Sequence, residues 1–523
     1  MVSKLRVVII KPSKYGLDGY VQRFRWGFMP NSTLPYIRSM TPQSISGVPI
    51  EVHTIDEYVY TDSDYLSLLK KEVGYKTLLA LVGVQSHQFH RALDLAAYAR
   101  KNGCLAVIGG PHPMTCDTSM LHNHGVSFAL AEAELIWPTI LSDAVAGELQ
   151  PVYGENQRWQ QVLEAPVLIP PSKREMRRYV TPMLGVYPAR GCPFVCNYCS
   201  VIKIAGRTVR SQKIETTIAS LKAAEAAGVK MIMFTSDNFN KYAQAEELLN
   251  AMIEEQINLN FFVQCDTQIS RQEKLVALLS RAGCFQMFLG IESFNRETLL
   301  AARKAQNRPE LYQDIVKLLR KYAISSHFST IIGFPNDTVD DVQQHIKILC
   351  ELNPTWASFY ILCPIPGTEQ YGDFLASGVI TEKNLDRFDT TYLTWNHPHF
   401  SRDEIHALLH GCYQKFYSLK HAVANASRLS FKWGGILSET FISLGNSAFT
   451  RFSAWKGTHP MAGGIRRVSL DCVDDFLELR KELFGFEFAP LPQVLLLPEA
   501  DMALNRLANL TLRKNLPQAA TSR

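Results

Sequence analysis

The sequence predicts an α/β protein of three parts: a doubly wound parallel sheet, a partial barrel and a mainly helical C-terminal region. Two runs of alternating strand and helix patterns support this division, one within residues 1–145 and one within residues 182–380. Between them, frequent prolines predict a stiff, extended linker over residues 146–181. The alternation stops after residue 380. At roughly 150 residues per domain, a chain of 523 residues agrees with three parts.

The first run reads as a sheet with helices on both faces. Its strand patterns are short, nearly continuous apolar segments separated by helices, which is typical of a Rossmann-like parallel sheet. Ligands of such sheets bind beyond the carboxyl ends of the strands, which here are the loops over residues 11–20, 85–90 and 109–116. The predicted strands are Leu5–Ile10, Ile50–Ile55, Leu78–Val84, Leu105–Ile108 and Ser127–Leu130, and the predicted helices are Ala92–Lys101 and one that begins at Glu132.

The second run contains six strand patterns with helices between them. This is the spacing that right-handed crossovers require, and six units favour a partial, TIM-like (βα)6 barrel over a closed eightfold one. The predicted strands are Leu184–Tyr187, Met231–Thr235, Phe261–Gln264, Gln286–Ile291, His327–Ile332 and Ala357–Leu362, and the predicted helices are Thr216–Ala227, Ala243–Gln256, Gln272–Ala282, Pro309–Tyr322 and Asp340–Leu352.

Residues 381–523 are predicted to form a helical region that closes the barrel and shapes substrate choice. Ser401-Arg-Asp-Glu404 is a capping box that opens an amphipathic helix. Farther along, five aromatic residues have two open interpretations: they line an apolar substrate pocket, or they belong to the core, as aromatic residues more often do. These residues are Trp433, Phe441, Phe449, Phe452 and Trp455.

Composition excludes several classes of protein. The apolar content of 46% is typical of a globular chain, and a net charge of +5 over 523 residues is too weak to predict nucleic-acid binding. Eleven cysteines, an odd number in a large chain, argue against a secreted disulfide framework. No apolar stretch approaches about 18 residues, and the start lacks a signal-peptide pattern. We therefore expect a soluble, cytoplasmic protein without a transmembrane segment, and the small positive charge is assigned no function.

The strongest motif is Gly191-Cys192-Pro-Phe-Val-Cys196-Asn-Tyr-Cys199, directly after the first predicted barrel strand. Three thiolates at this spacing can hold a [4Fe–4S] cluster and leave its fourth iron open to a substrate or cofactor, which indicates a catalytic cluster. Zinc is the alternative, but zinc sites usually have four ligands in two spaced pairs, and the chain has no second Cys-x-x-Cys. The other eight cysteines are interpreted as small core residues.

This Cys-x3-Cys-x2-Cys pattern resembles the signature of the radical S-adenosylmethionine (SAM) superfamily, whose fold is a partial (βα)6 barrel. The resemblance implies that the open iron binds the amino and carboxylate groups of SAM. Further stretches at predicted strand ends are similar to motifs of this superfamily, among them Thr235-Ser-Asp-Asn-Phe-Asn240 as a variant of Gly-Gly-Glu. Cofactor-binding roles are implied for Tyr198, Asp237, Asn240, Glu292, Gly333 and Pro335.

Each of these assignments has a structural alternative. Asp237 and Asn240 are good turn formers, and Glu292 could cap the next helix. Gly333 and Pro335 are suitable turn residues in any protein. Their joint position at the carboxyl ends of barrel strands, in register with the cysteine loop, favours the cofactor roles.

The loop Gly109-Gly110-Pro111-His112 follows the fourth strand, and its glycines allow a flat ligand to approach the backbone closely. Ahead of such a barrel, the domain resembles the cobalamin-binding domain of class B radical SAM methyltransferases. The resemblance implies cobalamin, and thus cobalt, near this loop, with Gln85 and Ser86 beside the corrin. His112 either contacts the corrin or bonds a backbone carbonyl.

Two features of the first domain depart from the cobalamin pattern. Residues 131–134 read Ala-Glu-Ala-Glu in place of Gly-Glu-Gly-Glu, and the ligand motif Asp-x-His-x-x-Gly is absent. A bound cobalamin would therefore have no cobalt ligand from a histidine of that motif. A domain that had lost cobalamin would show the same absence.

The resemblance implies a C-methyltransferase. In that chemistry the reduced cluster splits SAM, a 5′-deoxyadenosyl radical removes hydrogen from an unactivated carbon, and methylcobalamin supplies the methyl group. The expected partners are a small-molecule or lipid-like substrate and an external electron donor such as flavodoxin or ferredoxin, with no nucleic acid. The alternatives are ring closure or carbon–carbon joining on the same scaffold and, less favoured, a non-catalytic cobalamin- or cluster-binding sensor.

Overall fold

The computed structural model describes residues 4–432, 435–461, 463–468 and 474–497. Trp433 and the C-terminal tail therefore lie outside the described residues. None of the helices in the described part of the chain combines the length and the apolar character that crossing a bilayer requires.

The N-terminal part is a seven-stranded sheet of order β3-β4-β1-β5-β6-β7-β8, parallel except for the β3–β4 hairpin, which confirms the predicted doubly wound fold. Strand β2 lies outside this sheet. The elements are β1 Lys4–Lys11, β2 Arg23–Gly27, α1 Thr33–Met40, β3 Ser44–Ile45, β4 Val48–Asp56, α2 Asp62–Tyr65, β5 Tyr75–Leu81, α3 Phe89–Lys101, β6 Leu105–Gly109, α4 Pro111–Thr115, β7 Ser127–Ala129, α5 Ala133–Ala146 and β8 Val152–Tyr153.

The proline-rich segment that follows is extended, but it is packed against the two α/β parts. Its first residues form β8, and a single turn of helix, α6, spans Lys173–Met176. Leu163 and Leu168 are buried, and the indole of Trp159 donates a hydrogen bond of 2.8 Å to the carbonyl of Ile204 in the barrel. The segment therefore lies along the junction between the two parts.

The central part is a parallel six-stranded sheet of order β9-β12-β13-β14-β15-β16 with its helices outside, and no pairing joins the two edge strands. This confirms the partial barrel. The elements are β9 Met183–Val186, β10 Ala189–Arg190, α7 Val201–Ile204, β11 Arg210–Ser211, α8 Ile214–Ala226, β12 Met231–Phe234, α9 Ala245–Glu254, β13 Asn260–Cys265, α10 Glu273–Ala282, β14 Cys284–Glu292, α11 Arg296–Ala301, α12 Tyr312–Lys321, β15 Ser325–Ile332, α13 Val339–Leu352, β16 Trp356–Ile361 and α14 Glu369–Ala376.

The last part of the chain contacts both preceding parts. Its helix α15 packs on the barrel edge, β17 pairs antiparallel with β2, and α18 packs on α3, where Arg480 forms a 2.6 Å ion pair with Asp94. The sequence patterns did not reveal β2 or β17, because each strand is completed by a partner at the other end of the chain. The elements are α15 Arg402–Phe416, α16 Leu419–Asn425, α17 Ile436–Trp455, β17 Gly464–Val468 and α18 Asp474–Phe484.

Helix α15 protects the open edge of the barrel with two tyrosine hydroxyls. The Tyr417 hydroxyl accepts from the Ala357 amide at 3.1 Å and donates to the Ala357 carbonyl at 2.8 Å. One turn earlier, Tyr413 makes the same pair of bonds with Phe359 at 3.0 and 3.2 Å. An edge strand normally presents such groups for pairing with another strand, so the two tyrosines replace a seventh strand.

We expect Tyr417→Phe to destabilise the protein by about 1–3 kcal/mol, because the buried Ala357 amide and carbonyl lose their partner. The shift is measured as the midpoint of urea unfolding of the full chain. Tyr20→Phe is the control, since Tyr20 is 40% exposed. Equal midpoints for the two variants would contradict the role of Tyr417.

Candidate functional site

A cavity of about 540 Å³ lies where the strand ends of the N-terminal sheet face the strand ends of the barrel. From the N-terminal sheet it is lined by Lys11 at the end of β1 and by the loops that follow β5, β6 and β7. From the barrel it is lined by residues near the ends of β9 and β12, among them Arg190, Thr235 and Asp237. Two independent ligand-binding edges therefore share one space.

Gly109, Gly110 and Pro111 form part of the cavity wall, and their contacts with a cofactor stay predictions. Gly110 has φ +135°, and a Cβ there would lie 2.2 Å from the amide nitrogen of Val84. Only glycine meets both requirements, so the loop can lie against the neighbouring strand end and leave the cavity open.

The cavity continues as an apolar slot between the sheet and helix α5. Small side chains, Ala80 and Ala129, lie on the sheet side with Val107, and Trp137 and Ile140 lie on the helix side. At its polar end, Glu134 has a buried oxygen, Oε2, without a hydrogen-bond partner among the described residues. The cavity therefore combines a flat apolar wall with polar groups at its mouth.

The other residues predicted to lie beside a flat cofactor are Gln85, Ser86 and His112, and they differ in position. Gln85 lines the cavity together with the wall residue Pro111, whereas Ser86 and His112 are buried behind the wall. The Nδ1 of His112 lies 2.9 Å from the Ser86 hydroxyl, and its ring lies 3.9 Å from that of Phe89. Burial lowers the pKa of His112 to about 3, so the ring is neutral. The cofactor contacts of Ser86 and His112 stay predictions, and their visible role is to join two loops.

The three cysteines follow β9 and β10 on one loop, and all three are reduced and half-buried. The side-chain amide of Asn238 donates to Cys192 Sγ at 3.1 Å, and that of Gln306 reaches Cys196 Sγ at 3.7 Å. Within the described residues, no three His, Cys, Asp or Glu side chains are grouped so as to hold a single metal ion. In a [4Fe–4S] cluster each cysteine binds a different iron, so the three thiols need not converge on a single metal ion.

The segment after β12 holds the start of the cysteine loop. Asp237 accepts a 3.0 Å hydrogen bond from the Gly191 amide, and burial raises its pKa to about 6. Asn240 is turned away from the cavity, since its side chain bonds Asp266 and Gln272 at 3.2 Å each. Its cofactor role stays a prediction. Asn238 belongs to the same motif, but the motif does not predict its hydrogen bond to Cys192.

Glu292 ends β14 in a strained conformation, with φ +62°. Its carboxylate forms a 2.5 Å ion pair with Lys304, whose Nζ lies 5.8 Å from the ring of Tyr198. Burial lowers the pKa of Lys304, but Glu292 and the thiol of Cys196 raise it more, so the ammonium is retained. Gly290 is required beside this pair, because a Cβ would lie 2.5 Å from the carboxylate. Lys304 carried no sequence signal, since it lies outside any motif.

The turn after β15 lies close to the cysteine loop. The amides of Gly333 and Phe334 both donate to Asp337 at 3.0 Å, and the Phe334 ring lies 6.2 Å from that of Tyr198. Burial raises the pKa of Asp337 to about 6. Pro335 is exposed at the tip of the turn. The turn therefore brings Gly333 beside the cysteine loop and leaves Pro335 on its outer side.

Comparison with known proteins finds a family model that matches the central part of the chain. Residues 186–349 match the family model described as the radical SAM superfamily. The chain contains a radical SAM domain. The match includes the three cysteines, Asp237 and Glu292, and it confirms the resemblance that the cysteine spacing indicated.

Two curated relatives are methyltransferases of Chlorobaculum tepidum. The chain is 25% identical over 300 residues to bacteriochlorophyllide d C-12(1)-methyltransferase, which covers 56% of this chain and 64% of that protein. It is 24% identical over 379 residues to bacteriochlorophyllide d C-8(2)-methyltransferase, which covers 69% of this chain and 79% of that protein. The chain thus spans less than two thirds of the first relative.

A solved structure extends the likeness of fold beyond the radical SAM domain. The cobalamin-dependent SAM radical enzyme OxsB, with aqua-cobalamin bound, superposes with a TM-score of 0.57 at 13% identity. The match covers 98% of this chain and 84% of that chain. The order of the N-terminal sheet, barrel and C-terminal helices is therefore a known architecture.

The radical SAM domain implies a [4Fe–4S] cluster and SAM, and the residues present fit both groups. Three thiols on one loop are the donor set of a cluster with one open iron. The Tyr198 hydroxyl is buried without a partner among the described residues, next to the Glu292–Lys304 pair. Unpaired buried polar groups are costly, and their presence beside the cluster loop indicates that a polar ligand completes them.

The radical SAM domain is joined to the N-terminal domain by a buried ion-pair network. Glu132 accepts from Arg210 at 2.7 and 2.8 Å and lies 3.3 Å from Arg190. Arg190 also pairs with Glu134 at 2.8 Å. Burial raises the pKa of Glu132, but Arg210 and Arg190 lower it more, so it lies below its ordinary value. The Ala-Glu-Ala-Glu segment thus holds the two domains together, a role that its sequence did not indicate.

We expect Glu132→Gln to cost about 3–5 kcal/mol of stability at neutral pH, because it leaves the buried Arg210 guanidinium without its carboxylate and leaves Arg190 with Glu134 alone. The pKa of Glu132 is lower in the folded protein than in the unfolded chain. The stability that its carboxylate contributes is therefore present above the unfolded pKa and is lost as the pH falls through the folded pKa. The difference in urea midpoint between the native chain and the variant should therefore shrink in acid.

Glu255→Gln is the matched control for this substitution. It removes a surface pair with Lys222 at 2.7 Å, in which both side chains are about half exposed, so we expect less than about 1 kcal/mol. Equal effects of the two substitutions would show that the Glu132 network does not join the domains.

Proposed function

We propose that this protein is a cobalamin-dependent radical SAM methyltransferase that acts on an unactivated carbon of a small-molecule or lipid-like substrate. The shared cavity carries this proposal, because it opens both to the glycine loop of the N-terminal sheet and to Asp237 beside the cysteine loop. The names of the relatives support methyl transfer. An external donor such as flavodoxin or ferredoxin would reduce the cluster.

The residues divide between two cofactor regions. Cys192, Cys196 and Cys199 would hold the cluster, and Gly110 and the apolar slot beside α5 would hold cobalamin. When bound, the cluster together with SAM would supply a carbon radical for hydrogen abstraction, and cobalamin would supply a methyl group. The neutral ring of His112 lies behind the wall, which agrees with a corrin that takes no cobalt ligand from this loop.

The chain's own side chains hold and enclose the reacting groups. The Glu292–Lys304 pair offers a carboxylate and an ammonium beside Tyr198, which suits the charged amino-acid end of SAM. Glu132 and Arg190 of the domain-joining network line the cavity, and their side chains are only 5 and 15% exposed. Exclusion of water protects a reactive radical from side reactions.

A second cavity, of about 370 Å³, is suited to the substrate. It shares Tyr58 and His87 with the first cavity and reaches Tyr360 near the end of β16. Burial lowers the pKa of His410 to about 4 and raises that of Tyr360 to about 12, so both are neutral hydrogen-bonding groups at pH 7. These two groups can bond uncharged polar groups of a substrate, and the ion-paired Lys14 and Asp389 line the same cavity.

The aromatic residues of α17 are not part of either cavity. Phe441, Phe452 and Trp455 are exposed on the surface, at 78, 52 and 70%. They therefore neither line the substrate pocket nor belong to the core, because the helix turns its other face to the protein.

Two other outcomes remain to be separated from methyl transfer. Ring closure or carbon–carbon joining would use the same cofactors, but it would leave no labelled methyl group from SAM in the product. A non-catalytic sensor would keep cluster and cobalamin and form no 5′-deoxyadenosine on reduction with SAM. Incubation of the reconstituted protein with methyl-labelled SAM distinguishes all three.

We expect Cys196→Ala to lose both the cluster absorbance and the formation of 5′-deoxyadenosine after anaerobic reconstitution, since one of three iron ligands is removed. Cys350→Ala is the control, because Cys350 is half-buried on α13, outside the cysteine loop. Formation of 5′-deoxyadenosine by Cys196→Ala would make the cluster assignment wrong.

We expect Val107→Phe to lose cobalamin and to keep the cluster after reconstitution and gel filtration. The phenyl ring is larger than the valine side chain and would fill the apolar slot. Val107→Ala should keep both groups. Cobalt and iron are measured in the same sample, so failed cobalamin binding is separated from failed folding. Equal cobalt in Val107→Phe and the native chain would refute this cobalamin site.

A further inference from the structure

Helix α17 exposes its apolar side and buries its polar side. The side chains of Leu437, Phe441, Phe452 and Trp455 are 85, 78, 52 and 70% exposed. On the opposite side, Glu439, Ser443, Ser447 and Thr450 are buried. A helix on the surface of a globular protein normally has the reverse arrangement.

The buried polar side is specifically bonded, so the orientation of the helix is determined. The carboxylate of Glu439 accepts from the Phe431 amide at 2.6 Å, and the Ser443 hydroxyl donates to the Asn425 carbonyl at 3.2 Å. Rotating the helix to bury its apolar side would break these bonds and leave buried polar groups unpaired.

The exposed apolar residues form one continuous line, which we call the apolar stripe. They recur at intervals of three and four residues, so they lie on one face along about 27 Å of helix. Beside them, α16 exposes Leu419 and Val423 at 79 and 65%. A patch of this extent marks an interaction site. The stripe consists of Leu437, Phe441, Leu444, Ala448, Phe452 and Trp455.

The charge around the stripe is strongly positive. Residues 415–460 contain six basic residues and one acidic residue, a net +5 that equals the net charge of the whole chain. The acidic residue, Glu439, is buried. The side chains of Lys415, Lys420, Arg451 and Lys456 are exposed, and the Lys456 ammonium lies 4.5 Å from the Phe452 ring. The exposed charged side chains described in this stretch are therefore all cationic.

We propose that α16 and α17 dock on an anionic lipid membrane, with α17 lying in the plane of the interface. Phenylalanine, tryptophan and leucine on one face of a helix, flanked by lysine and arginine, are the composition of interfacial helices. Anionic headgroups attract such cations within a Debye length. A second molecule of this chain is a less suitable partner for the stripe, because a twofold interface would bring the same cations face to face.

Docking would place the membrane near the second cavity. The stripe ends at Trp455, and Gly457 and Thr458, which follow it, line that cavity of about 370 Å³. The proposal itself does not depend on the catalytic activity.

Vesicle flotation of the full reconstituted chain tests this surface. With vesicles of equal parts phosphatidylcholine and phosphatidylglycerol we expect binding that weakens in high salt, and with phosphatidylcholine alone much less binding. Phe441→Ser together with Trp455→Ser should weaken binding at least about tenfold. Lys420→Glu with Lys456→Glu should remove the preference for the anionic vesicles.

Val73→Ser with Val162→Ser is the matched control, since these residues are 99 and 64% exposed outside α16 and α17. It should bind as the native chain does, and all variants should keep its unfolding midpoint because every replaced side chain is on the surface. Absent binding by the folded chain would overturn the proposal, as would binding that the Phe441 and Trp455 substitutions leave unchanged. A dimer that those substitutions dissociate would overturn it in favour of a second copy.

Discussion

The buried ion pairs of Glu132 and Glu134 with Arg190 and Arg210 are the interaction on which the site depends. They connect the strand ends of one sheet to β10 and β11, which precede and follow the cysteine loop, so they determine how far apart the two cofactor regions lie. Four charges removed from water are stable only as a complete set. The same contact therefore determines both the cavity and the position of the cysteine loop.

Because the two domains face each other through their carboxyl strand ends, their loops need not be long to meet. Short turns such as Gly109–Pro111 and the Asp237 segment line one cavity from opposite sides. The C-terminal part strengthens this arrangement, since β17 and α18 pack on the N-terminal domain while α15 packs on the barrel. The last third of the chain thus binds both domains rather than forming a separate one.

Strain and unusual burial mark the places where the chain departs from an ordinary fold. Glu292 has a positive φ and a buried lysine partner beside the cysteine loop. Helix α17 has its apolar side outward. The stability of a single domain does not require either feature. Such features are typical of places where a cofactor or an outside surface contacts the chain.

The secondary-structure elements and the chemistry of the cysteine loop follow from local properties of the amino-acid sequence. Strands such as β1 and β14 were predicted close to their observed bounds, and the cysteine loop needed no tertiary information, because β-branched runs and ligand spacing are local properties. Which side chains face the cavity, by contrast, depends on contacts between distant parts of the folded chain. Asn240 turned to Asp266, His112 turned to Ser86, and the variant segment 131–134 became the link between domains. A local pattern shows that a side chain can bond, but its partner depends on chain segments that only folding brings together.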